Sequence, residues 1–144
     1  MVGQAAKRSS VRRAVPATLL AVLALAGCGT ADDRNQARAT TERFYAALLH
    51  HNGPAACAEL SQDTITSLEQ QESKPCRLAV RALNLRGGRV LRTRVYITNA
   101  LVDLTGSEYA FLGREPDGWK LSAVGCRFDK GKPRDRPADC EAQD

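Results

Sequence analysis

Gly87-Gly88-Arg89-Val90-Leu91-Arg92-Thr93-Arg94-Val95-Tyr96-Ile97-Thr98 is where the period of the chain changes. Upstream, apolar residues recur at helical spacing. Here Leu91, Thr93, Val95 and Ile97 alternate with Arg92, Arg94, Tyr96 and Thr98, which predicts a strand over 90–98 with one buried face. Beyond it the alternation continues in short pieces. Asn99-Ala100 turns the chain into a strand over 101–104, and Thr105-Gly106 turns it again into one over 108–114, where Tyr109 and Phe111 share a face. Pro116-Asp117-Gly118 is a turn signal. It leads to a last strand over 119–126 with Trp119, Leu121 and Ala123 on one side. Strands joined by such short turns pair antiparallel as a meander.

Upstream of the glycine pair the pattern is helical. Ala37, Thr41, Phe44, Tyr45, Leu48 and Leu49 form one apolar stripe, which predicts a helix over 35–50 with Asp32 or Asp33 as its cap. Asn52-Gly53-Pro54 ends it, with Gly53 expected in a left-handed cap and Pro54 opening a short helix over 54–60. Ser61 or Asp63 caps a third helix bearing Ile65 and Leu68, and its polar tail over 69–74 is expected to be exposed. Pro75 starts a fourth helix carrying Cys76, Leu78, Ala79, Val80 and Leu83. Helices followed by a run of hairpin strands indicate an α+β domain, with the N-terminal helices packed on one face of a curved antiparallel sheet. No internal repeat is visible.

The start of the chain is an address. Lys7, Arg8, Arg12 and Arg13 form a basic region without acids, and 14–26 is apolar apart from Thr18. That run is shorter than the ~20 residues of a permanent bilayer-spanning helix and has the marks of a secretory signal. Leu25-Ala26-Gly27-Cys28 then looks like the lipobox of bacterial lipoproteins. The resemblance implies removal of residues 1–27, a diacylglyceryl group on the Cys28 thiol, and a two-chain anchor that holds the protein on the outer face of the cytoplasmic membrane. Residues 28–34 would be the lipidated cysteine and a polar tether. Arg12-Arg13 also raises twin-arginine export, against which Val15 and Pro16 stand in place of a stronger consensus.

Charge and cysteines follow from that reading. Four of the 21 Lys and Arg precede Cys28, so 17 remain against 16 acids, a net charge of +1. No clustered basic face of the kind that binds nucleic acid results. Besides Cys28, the chain has Cys57, Cys76, Cys126 and Cys140, an even set that favours two disulfides in an oxidising compartment. Four cysteines allow three pairings. Cys57–Cys76 and Cys126–Cys140 are favoured, because each joins sequence neighbours around a segment with few apolar anchors. Such loops are worth about 3 kcal/mol each in the chain-entropy model. There is no Cys-x-x-Cys pair and the two histidines are adjacent, so no metal site is expected and no cofactor is implied.

Four stretches then resemble the nuclear transport factor 2-like (cystatin-like, α+β cone) superfamily, in particular small exported actinobacterial lipoproteins: 39–48 as a first helix, 55–61, 74–76, and 118–126 as a final strand. The resemblance covers about 35–126, leaving 127–144 as an irregular tail tied by a disulfide. It implies a cone-shaped cavity between the sheet and the first helix. Family enzymes line that cavity with Asp–His or Tyr–Asp pairs, and little here matches: His50 and His51 end a helix and are expected in solvent. Tyr45, Asp103, Tyr109 and Trp119 are the candidate pocket residues. Each has a plainer reading, as core for the aromatics and as a cross-strand partner of Arg92 or Arg94 for Asp103. The leading expectation is a non-catalytic, membrane-anchored domain that binds a small molecule or an envelope protein. The alternatives are a small enzyme using Asp103 with a tyrosine for proton transfer, and a scaffold that homodimerises through its sheet.

Overall fold

The computed structural model describes residues 29–128 and 139–144. Four helices, α1 (Gly29–Leu49), α2 (Gly53–Ala58), α3 (Gln62–Glu72) and α4 (Cys76–Ala79), precede five strands, β1 (Val90–Tyr96), β2 (Asn99–Leu104), β3 (Glu108–Glu115), β4 (Gly118–Cys126) and β5 (Ala142–Gln143). The strands form one antiparallel sheet in sequential order. The α+β class and the helix-on-sheet arrangement expected from the change of period are therefore present.

Helix α1 lies across the sheet. Ala37, Thr40, Thr41, Phe44 and Tyr45 are buried on its inner side. They meet the inward residues of the strands: Ala100, Val102 and Leu104 of β2, Ala110 and Leu112 of β3, and Trp119 and Leu121 of β4. Thr40 Oγ1 donates to the Trp119 carbonyl at 3.3 Å. The helix begins at Gly29, six residues before the expected start, so the tether expected over 29–34 is helical. Two contacts account for the extension. Gln36 Nε2 donates to Asp32 Oδ2 at 2.7 Å, and Asp33 accepts from Arg114 of β3. An acid in the first turn also suits the positive end of the helix. Leu49, expected in the apolar stripe, is 76% exposed.

The exit from α1 differs from expectation. His51, not Gly53, takes the left-handed conformation (φ 55°). The His51 N–H reaches the Leu48 carbonyl at 2.9 Å and the Asn52 N–H the Ala47 carbonyl at 2.8 Å, the double bond of a Schellman motif. Asn52 then caps α2 through Oδ1, which accepts from the Ala55 N–H. Gly53 serves a close approach instead: a Cβ there would lie 2.1 Å from the Arg77 carbonyl oxygen of α4. Ser61 caps α3 as expected. Glu69, on the tail expected to be exposed, turns back and accepts the Cys76 N–H at 2.7 Å. The fourth helix is only one turn long and continues as a 3-10 turn over Val80–Ala82.

In β1 the expected face holds only in part. Thr93 and Val95 lie opposite Val102 and Ala100, on the core side. A register shift between Val90 and Arg92 turns Val90 inward and leaves Leu91 59% exposed. The strand ends at Tyr96, and the turn is Ile97-Thr98 rather than Asn99-Ala100. Tyr109 and Phe111 do share a face, the outer one, while Glu108, Ala110 and Leu112 point to the core.

The two disulfides join Cys57 to Cys76 and Cys126 to Cys140, the favoured pairing. The first ties α2 to α4. The second returns the chain so that Ala142–Gln143 adds a strand to β4, where only irregular tail was expected. Further along the same edge, the Leu121 N–H donates to the Glu59 carbonyl and Leu121 accepts from the Ser61 N–H, both at 2.9 Å. The β4 edge is thereby covered. Among the described residues no strand pairs with the far edge of β1.

Gly53→Ala is expected to cost about 1–3 kcal/mol, since backbone rather than a flexible side chain must yield. Gly113→Ala, where an added Cβ meets nothing within 4 Å, is expected to stay within about 0.5 kcal/mol. Urea unfolding of the two variants checks the contrast.

Candidate functional site

The site grows from one side chain. Glu108 opens β3 on the core-facing parity and is 0% exposed. A buried carboxyl is tolerated only where its acceptor positions are met. Two elements donate to it and a third brings a positive charge near it. The Tyr45 hydroxyl of α1 donates to Oε1 at 2.5 Å. The Arg86 backbone N–H donates to Oε2 at 2.6 Å. The Arg127 guanidinium, just past β4, stands 4.0 Å from Oε2. Arg127 also donates to the Asn84 carbonyl at 2.7 Å and pairs with Glu141 at 3.4 Å.

The segment over 83–88, between the 3-10 turn and β1, is drawn over this carboxyl as a strap. Arg86 supplies a backbone donor and Asn84 a backbone acceptor. Gly87 lets the chain lie close, because a Cβ there would fall 2.8 Å from Glu108 Oε1. Leu85 reaches across toward Gly125, which has φ 66°. The Gly125 backbone also lies near the Tyr45 phenol. Burial, then the hydrogen bond and charge of Glu108, pushes that phenol far above the ordinary tyrosine range.

Beside the strap lies a cavity of about 520 Å³, inside the roughly 300–1,000 Å³ range of small-molecule sites. The C-terminal part of α1 gives one wall, with Tyr45, Leu48 and Leu49. Val80, Leu83 and Leu85 give the other, and Glu42, His51 and Arg81 are its charged and polar lining. No strand residue lines it, so it does not lie between the sheet and α1, where the cone was expected. That space is filled by Phe44, Leu104, Leu112 and Leu121, all at most 1% exposed.

Of the four candidate pocket residues, only Tyr45 lines this cavity. Trp119 is buried under the opposite end of α1, its indole N–H 3.4 Å from Asp33. Asp103 and Tyr109 are cross-strand neighbours on the outer face of the sheet. Asp103 accepts from Arg94 at 2.5 Å, and Tyr109 packs edge-on against Phe128. Asp103 and Tyr45 therefore lie on opposite faces, and only an Asp103–Tyr109 pairing has the geometry to meet. His50 and His51 are both exposed, with His51 among the residues lining the cavity. Cys28 lies outside the described residues. Among those described there is no cluster of metal-ligating side chains, and no helix is long and apolar enough to cross a membrane.

Glu108 was not among the residues singled out from sequence. The signal was parity: Glu108, Ala110 and Leu112 alternate, and the small and aliphatic pair marks the buried side of β3. Chemically, the arrangement holds a phenol and a carboxyl in a fixed, dry contact behind an apolar cavity. The carboxyl itself does not open to solvent, so contact with a bound molecule falls to the Tyr45 ring and the aliphatic walls.

Tyr45→Phe leaves Glu108 buried with one donor fewer and is expected to cost about 1–3 kcal/mol. The native phenol keeps its proton where the unfolded one, with a pKa near 10, loses it. Its stabilising contribution is therefore complete below about pH 10 and declines above it as the unfolded state ionises. Thermal melts across that range should fall more steeply for the native chain than for Tyr45→Phe, and parallel slopes would contradict the assignment.

Comparison with known proteins yields no matching family model, no similar curated sequence and no similar solved structure. The functional reading rests on the residues of the site.

Proposed function

We propose that the chain is an extracytoplasmic lipoprotein, anchored through Cys28, whose domain binds a small, largely apolar molecule without transforming it. The cavity beside the strap carries this reading. It is of ligand size and walled by Leu48, Leu49, Val80, Leu83 and Leu85, with polar groups confined to a few positions. Such a surface gains from covering apolar area, at about 25 cal/mol per Å² removed from water. Leu49 in particular is a large aliphatic side chain left in solvent at this cavity.

Support for the anchor is the basic start, the short apolar run and the Leu25-Ala26-Gly27-Cys28 stretch. Two disulfides in so small a chain agree with an oxidising compartment. The helix-on-sheet arrangement is compatible with a nuclear transport factor 2-like ancestry, with the cavity displaced from the sheet to the side of α1. Against the enzyme reading stands the sealing of Glu108 and the engagement of Asp103 with Arg94.

Native mass spectrometry of the protein purified from its own envelope tests the binding. The expected result is a discrete mass above that of the chain and any lipid on Cys28, released on denaturation. Leu83→Trp, which fills the cavity from its outer wall, should abolish that mass while leaving the thermal midpoint within a few degrees. A bare chain in the native protein would sink the ligand reading.

A further inference from the structure

The end of the domain opposite the cavity carries its most conspicuous surface defect. Ile97 is 93% exposed, and its neighbour Tyr96 55%. Ile97 also has φ 39°. Positive φ is an outlier for a β-branched residue, and at the first loop position of a two-residue hairpin it is the place for glycine. The turn thus bears strain in order to hold an aliphatic side chain in water. Strained positions persist where function uses them.

The location says what the turn faces. The first turns of α1 lie against the end of β1: Thr30 and Arg34 line one cleft with Thr93, Arg94, Val95 and Tyr96. On the other side, the Arg114 N–H donates to the Thr98 carbonyl at 2.8 Å, and Arg114 also binds Asp33. Gly29 begins α1, and Cys28 is the residue before it. The hairpin tip therefore projects from the same end of the molecule as the proposed anchor point. Three charge pairs near it are closed within the domain, Arg94 with Asp103, Arg114 with Asp33 and Lys120 with Asp117. Exposed Arg34, which lines the same cleft as Tyr96, belongs to none of them, and its long stem lets the guanidinium stay at headgroup level. A tyrosine beside an aliphatic residue suits the boundary between headgroups and acyl chains.

We propose that the Tyr96-Ile97 tip docks into the membrane interface beside the lipidated cysteine, fixing the domain upright instead of leaving it to swing on its anchor. The occupant of this surface is the bilayer itself, through its headgroup–acyl boundary and independently of anionic lipid. This rests on the reading of Cys28 as the anchor.

The test uses the full protein, expressed with its leader, purified from membranes and reconstituted into phosphatidylcholine vesicles brominated on the acyl chains. Tyr96→Trp reports the tip, and Leu91→Trp is the control on the same strand. The signal of buried Trp119 is subtracted with the unsubstituted chain. Quenching of Trp at 96 should exceed that at 91 by about threefold or more, since interfacial groups sit about 5–10 Å into the boundary and Leu91 lies about 17 Å back along the strand. Adding Ile97→Asn, a residue that tolerates left-handed φ, should bring quenching at 96 down to the control level without lowering the melting temperature. A lipidated protein whose Trp at 96 is quenched no more than that at 91 overturns the docking and leaves the anchor standing. A chain whose mass shows no lipid on Cys28 overturns the anchor. In that case the docking beside a lipidated cysteine falls with the anchor, whatever the quenching at 96.

Discussion

A carboxyl group with no access to water sets the terms for much of this domain. Glu108 can remain buried because a helix and a strap each send it a donor, and the segment after the last long strand brings a guanidinium to 4.0 Å. Each contact brings a constraint with it. Tyr45 fixes the rotation of the last two turns of α1. The Arg86 N–H fixes the path of a segment that has no regular structure of its own, and Gly87 is the residue whose missing Cβ makes that path passable. Arg127 carries the link onward to Glu141 and so to the strand held by the Cys126–Cys140 bond. A long-range polar hub of this kind is weak as a source of net stability, but it discriminates strongly against arrangements that leave the acid unpaired. The cavity is a by-product of the same constraint. The strap is held at Glu108, and its leucines stand off from α1 instead of closing on it.

Helix α1 then separates two ends of different character. From Gly29 to Tyr45 the axis runs about 24 Å. At one end the helix is pinned to the sheet by Asp33, which binds Arg114 and faces the indole of Trp119. At the other it is pinned by the phenol on Glu108. Between them Thr40 and Thr41 turn their hydroxyls to carbonyls, Thr40 to Trp119 and Thr41 to Ala37 of its own helix. Small side chains at these positions allow the helix to lie close to the sheet, and the space that a cone would occupy is filled with Phe44 and the leucines of β2, β3 and β4.

What could be read from the sequence was whatever depends on local period and on short loops. The change at Gly87-Gly88 divides helices from strands, and the Pro116-Asp117-Gly118 turn and the Ser61 cap are where their chemistry puts them. The disulfides join sequence neighbours because each closes a segment with few apolar anchors. What could not be read depends on partners far along the chain. The extension of α1 to Gly29 needs Arg114, 81 residues away. The inward turn of Val90 needs the register with Leu104. Tyr109 and Phe111 are the conspicuous residues of β3, so the eye assigns the core to them. The sheet instead buries the small Ala110 beneath the helix and places the acid at the buried end of the row. Asp103 and Tyr45 were expected in one pocket, but a strand has two faces, and parity relative to the helix decides which face an acid joins.

The two proposed surfaces are placed so that neither obstructs the other. The cavity opens beside the C-terminal end of α1, and the tip projects beside its N-terminal end. A domain docked at the tip would therefore hold its binding cavity a helix length above the bilayer, with the opening in the aqueous layer. A ligand entering there arrives through water or from another protein, not by sliding up from the membrane leaflet. This geometry gives the disulfides a mechanical role as well. Cys57–Cys76 ties α2 to α4, the turn from which the chain runs into the cavity wall at Val80, and Cys126–Cys140 holds the strand that covers the β4 edge. Both bonds therefore brace parts of the domain away from the edge of β1 and the proposed docking tip. A short sheet with one covered edge and one long helix is a small frame, and each staple ties a neighbouring segment into it.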